Sequence, residues 1–110
     1  MAKTIFEIPV ERNKYAFRLN TELDNRTFIF DFYYNVRNDL WHFNLYDAEE
    51  TPLLMGRPLN TRYDLLRRFK YNKSLPQGIL MLYDKQEKDE ECDSEQFGNR
   101  WLFLYRSDLL

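Results

Sequence analysis

Two runs, RTFIFDFYYNV at residues 26–36 and LWHFNLY at residues 40–46, decide the fold of this chain. Each alternates large apolar side chains with polar or amphipathic ones. That period of two marks a strand with one buried face. The residues between the runs form a short turn, so the two strands make an antiparallel hairpin. An even-numbered loop pairs residues whose numbers sum to an odd value. Pairing Tyr34 with Trp41 then sets Phe32 against Phe43 and Phe30 against Leu45, all six on one face. The opposite face carries Ile29, Asp31 and Tyr33 beside Tyr46, Asn44 and His42. A one-residue slip would place Asp31 opposite Phe43 on the apolar face, so the first register is favoured. Its second face is amphipathic. Tyr33 and Tyr46, with apolar rings and phenol tips, suit either a partly solvated sheet or a surface that meets another protein.

Working outward, KTIFEIPV (3–10) reads as a first strand, with Pro9 marking an edge or a bend. KYAFRLNT (14–21) alternates Tyr15, Phe17 and Leu19 with Lys14, Ala16 and Arg18 and reads as a half-buried strand. After the hairpin, DAEET turns the chain and PLLMGRPL (52–59) returns as a short strand. Pro52 and Pro58 each remove a backbone donor, which confines it to an edge, and Gly56 predicts a bulge. A helix is expected at about residues 62–70. Thr61 would be its N-cap and Asp64 the partner in a capping box. Leu65, Leu66 and Phe69 would form its apolar stripe, with Arg67, Arg68 and Lys70 complementing its dipole in the last turn. GILMLYD (78–84) reads as a strand. KQEKDEECDSEQFGN (85–99) reads as a long acidic loop too charged to bury, and RWLFLYRS (100–107) as the final strand.

These elements predict one mainly β domain over residues 1–110, a small antiparallel β-barrel or β-sandwich with one short α-helix. The expected core is Phe30, Phe32, Trp41, Phe43, Leu45, Leu66, Phe69 and Trp101. With 110 residues the chain can bury about 65% of its unfolded surface, enough for a modest core.

Composition narrows the function. Sixteen Lys and Arg against eighteen Asp and Glu give a net charge of −2, too balanced for global attraction to nucleic acid or an acidic membrane. The single cysteine, Cys92, excludes an internal disulfide, supplies no metal set and fits a reducing compartment. No apolar run has the length of a membrane span, and MAKTIFEIPVERNK shows no secretory h-region. His42 is the only histidine, and its place on a strand opposite Tyr33 explains it without a catalytic role. Cys92 lies among Glu90, Glu91, Asp93 and Glu95, whose charges oppose a thiolate. The acidic run lacks the spacing of a calcium loop. No catalytic residue, metal ligand or cofactor site is expected.

What remains is charge segregation. Arg57, Arg62, Arg67, Arg68 and Lys70 cluster around the expected helix, while Glu87, Asp89, Glu90 and Glu91 crowd the acidic loop. With Tyr33 and Tyr46 these are the candidate partner-binding residues. A second reading takes the basic residues and their interleaved aromatics as a single-stranded nucleic-acid surface on a small barrel. The lack of an overall basic excess counts against it.

The stretch WHFNLYDAEETPLLMGRPLNTRYDLLRRFKYNKSLPQGILMLYD, followed by an acidic loop and FGNRWLFLYR, resembles the bacteriophage baseplate plug family. The resemblance runs from Trp41 to Tyr105; residues 1–40 fit in strand pattern only. One departure is the turn, where the family has an aspartate–glycine type and this chain has Glu49 and Glu50. The resemblance implies a mainly β, non-enzymatic virion component at the centre of a contractile-tail baseplate, near the junction of tail tube and hub. It further implies protein contacts with tube, hub and neighbouring copies, a homo-oligomer in the tail, no membrane partner, and assembly in the host cytoplasm.

Overall fold

The computed structural model describes residues 4–10, 15–37, 40–59, 64–69, 71–88, 90, 92, 97 and 100–107. Among the described residues seven strands form two antiparallel sheets: β1 (Thr4–Glu7), β2 (Ala16–Leu23), β3 (Arg26–Asn35), β4 (Leu40–Asp47), β5 (Pro52–Pro58), β6 (Ile79–Asp84) and β7 (Trp101–Ser107). One sheet has the order β1-β7-β6 and the other β2-β3-β4-β5. Among the described residues the strands do not close into a hydrogen-bonded ring.

The central hairpin has the register expected from its pattern. Phe30 pairs with Leu45, Phe32 with Phe43 and Tyr34 with Trp41. Its apolar face meets the other sheet through aromatic rings. Phe103 of β7 stands edge-on to Phe30 and Phe32, with centroids 5.4 and 5.1 Å away. Such T-shaped pairs set a positive ring edge against a negative ring face. Seven of the eight expected core residues are buried; Phe69 is only partly buried and packs at the margin.

The β2–β3 turn is a two-residue connection in which Asp24 and Asn25 both have positive φ, 53° and 65°. Asparagine and aspartate tolerate this left-handed region better than other side chains, and the primed turn it makes suits the twist of a hairpin. Asp24 also ties the sheets together. Its carboxylate accepts from Tyr105 Oη and Ser107 Oγ, both at 2.5 Å. Tyr105 Oη in turn accepts from the Gly78 backbone N–H at 2.7 Å. The β4–β5 turn solves its missing glycine differently. Glu50 itself adopts φ 63°. Asp47 Oδ1 accepts from the N–H groups of Glu49 and Thr51, both at 2.9 Å.

The expected α-helix is corrected. Its described part holds only a 3₁₀ turn at Arg67–Phe69, and the proposed cap Thr61 lies outside the described residues. The cause is competition from the edge of β6. Asp64 Oδ1 accepts from Leu66 N and from Leu80 N across on β6, and Leu65 N donates to the Leu80 carbonyl at 2.7 Å. Backbone groups that an α-helix would use internally are spent on the sheet, and the bonds that remain span three residues.

The acidic stretch is corrected too. It is not wholly solvated, because Cys92 and Phe97 are buried. Phe97 packs 5.0 Å from Trp41 and 5.4 Å from Phe32, between centroids.

Candidate partner-binding surface

Three surfaces carry those candidate residues that are described. The first is basic. Arg57 from β5 and Arg67 and Arg68 from the 3₁₀ turn converge on an open groove of about 660 Å³, lined also by Pro58, Asp64, Leu65 and Phe69. The Arg57 guanidinium lies 5.1 Å from the Phe69 ring centroid, a cation–π contact that holds both at the groove wall. Arg67 and Arg68 are exposed. Among the described residues no carboxylate forms an ion pair with any of the three arginines. Asp64 lines the groove, but one of its oxygens already serves Leu66 and Leu80. The groove therefore presents a positive field beside apolar surface.

The second surface is acidic. Glu87 and Glu90 are exposed, and the chain around them is pinned at its base. Asp84, buried at the end of β6, takes a bidentate ion pair from Arg100, with Nε–Oδ1 and Nη2–Oδ2 both at 2.8 Å. The same carboxylate accepts from the N–H groups of Gln86 and Lys88. Arg100 also reaches Glu90 at 2.6 Å and stacks 4.1 Å over Trp101, whose Nε1–H donates to the Glu90 carbonyl. Sequence reading did not find this anchor. Its only sequence signal was a basic residue at the start of the expected last strand.

The Asp84–Arg100 pair is expected to make the fold sensitive to acid. The hydrogen bonds from Arg100 hold the Asp84 carboxyl well below the usual aspartate range; burial opposes them, and the Gln86 and Lys88 amides assist. The Arg18 guanidinium likewise lowers Asp31. A depressed folded pKa gives stability that is present above the unfolded value of about 3.9 and is lost as pH falls through the folded one. Thermal melts should therefore decline below about pH 4. Asp84→Asn should melt lower at neutral pH and lose less on acidification. An Asp84→Asn protein with the wild-type acid slope would remove this residue from the explanation.

The third surface is the outer face of the central hairpin. Tyr33 stacks on His42 with centroids 5.5 Å apart, and Arg18 lies 5.2 Å over the Tyr46 ring. Arg18 also pairs with Asp31 at 2.6 Å and Glu50 at 2.7 Å. Both tyrosines are half-buried by these neighbours. His42 Nδ1 sits 3.2 Å from the Leu40 carbonyl oxygen, which can only accept. The structure thus brings Arg57, Arg67 and Arg68 together, and none of Tyr33, Tyr46, Glu87 and Glu90 lines their groove. Arg62, Lys70, Asp89 and Glu91 lie outside the described residues. Among the described residues no group of three His, Cys, Asp or Glu side chains could hold a metal ion.

The family model described as cyanophage baseplate Pam3 plug gp18 matches residues 5–108 of this chain, and the chain belongs to that family. It is a structural component of a phage virion, in the tail baseplate. The match extends the resemblance through the first three strands, where the sequence fitted in strand pattern only. No curated protein matches the chain.

Proposed function

We propose that this protein is a non-enzymatic plug subunit that works through protein–protein contacts at the centre of the baseplate, near the junction of tail tube and hub. Its partners are tube and hub proteins and neighbouring copies of itself, assembled as a homo-oligomer. The observation that carries the reading is the groove of Arg57, Arg67 and Arg68, whose arginines have no ion-paired carboxylate among the described residues while the exposed acidic turn stands elsewhere on the subunit. Such segregated charge orients assembly and suppresses wrong contacts more than it adds affinity. Arg62, Lys70, Asp89 and Glu91 extend the two charged surfaces in sequence, and Tyr33 and Tyr46 offer a third contact face.

Localisation within the virion tests the position. Gold particles directed at a tagged copy should mark the tail axis at the baseplate centre of purified phage. Label distributed along the sheath or confined to the baseplate periphery would contradict the tube–hub assignment.

A further inference from the structure

The basic groove and the acidic turn lie at opposite ends of one strand. Asp64, in the groove wall, bonds Leu80 near the start of β6, and the acidic stretch leaves β6 after Asp84. Four residues of extended chain separate these points by roughly 13 Å. The pinning described above holds Glu90 at the Asp84 end, since its side chain and its carbonyl are bonded by Arg100 and Trp101. The two surfaces are thus held apart within a single subunit.

From this geometry we infer that the groove of one copy takes the acidic turn of a second copy, the turn carrying Glu87 and Glu90. Charge complementarity selects this occupant. The groove offers three guanidiniums without an ion-paired carboxylate among the described residues, and residues 85–95, beyond the buried and paired Asp84, carry six Asp and Glu against two Lys. A contact between two different patches on identical subunits is heterologous, and it closes into a ring when the rotation permits. Leu65, Pro58 and the Phe69 ring give the groove apolar walls, so a docked carboxylate is partly shielded from water and its attraction to arginine strengthened. This inference rests on the structural role proposed above and specifies one of its contacts.

A charge swap tests it with purified protein, followed by sedimentation velocity at low and high salt. The wild type should self-associate, and salt should weaken it. R67E/R68E sets an acidic groove against the acidic turn, and E87K/E90K sets a basic turn against the basic groove. Each variant alone should lose association by about tenfold or more. Mixed in equal amounts they should recover it, because each groove again meets a turn of opposite sign. Since Glu90 also pairs with Arg100, Glu87→Lys alone serves as a second variant that leaves the anchor intact, and wild-type melting of each variant confirms folding. A monomeric wild type at both salt concentrations, or a mixture with no recovery, overturns the self-contact. If R67E/R68E nevertheless fails to enter tails in a complemented deletion phage, the groove serves a different tail protein and the structural role stands. Loss of single-stranded oligonucleotide retention in R67E/R68E with unchanged self-association would also overturn the proposal, with nucleic acid as the groove's occupant.

Discussion

Replacing Phe43 by alanine is expected to destabilise the protein by about 3–5 kcal/mol, the range for truncating a buried aromatic ring. Phe43 lies on β4, flanked by β3 and β5, and is fully buried. Its ring centroid is 6.2 Å from Phe30, 6.5 Å from Phe32 and 6.5 Å from Phe103. Removing it therefore takes contacts from both sheets at once. The rings around the cavity are held by one another, so the site cannot collapse cheaply. For a domain with a typical total stability of about 5–15 kcal/mol, the loss is a large share. Chemical denaturation would show it as a lower midpoint with an unchanged slope. A midpoint within error of the wild type would contradict the packing of this face.

The second large effect is expected at Gly78, which precedes β6. A methyl group there would lie 2.2 Å from the Arg106 carbonyl oxygen and 2.6 Å from Tyr105 Oη. Neither neighbour can step aside easily. Arg106 O belongs to the backbone of β7, and Tyr105 Oη is held between Gly78 N and Asp24. Gly78→Ala should therefore separate β6 from β7 locally and disturb the Tyr105–Asp24 bond, one of the two that tie Asp24 to the other sheet. Its cost should reach or exceed the upper end of the usual overpacking range of about 1–3 kcal/mol. Amide exchange gives the sharper readout, with protection lost first along Ile79–Asp84. A variant as stable as the wild type would show that the close approach is absent.

These positions also mark how far the sequence could be read. The register of β3 with β4 was legible because a one-residue slip would bury Asp31 against Phe43, and all three paired core positions appear as the pattern requires. Pro52 and Pro58 placed β5 at an edge, and Gly56, with φ 64°, lies in the strand whose pairing with β4 is irregular. The helix over residues 62–70 misled, because Leu65, Leu66 and Phe69 have helical spacing while Asp64 spends its capping oxygen across the sheet on Leu80. Local propensity carries no information about that neighbour 16 residues away. The bonds from Asp24 to Tyr105 and Ser107 were invisible for the same reason, spanning 81 and 83 positions. Phe97 was hidden by the charges around it. At the surface, the charge runs were legible, but only the folded chain shows that Arg57 joins Arg67 and Arg68 in one groove. It also shows that Arg100 pins the acidic turn at the far end of β6.

The claim that the protein functions as a charge-oriented baseplate component is tested most directly by what assembled tails contain. A deletion phage would be complemented with either the wild type or R67E/R68E, and the protein in purified tails quantified by mass spectrometry against the tube protein. Exposed substitutions of this kind usually change stability by no more than about 0.5 kcal/mol, so the reversed protein should be folded and available. The account predicts a fixed wild-type copy number per tail and a reversed variant that is absent or strongly depleted, with loss of infectivity. Equal copy numbers for the two proteins, in tails of equal infectivity, would contradict it.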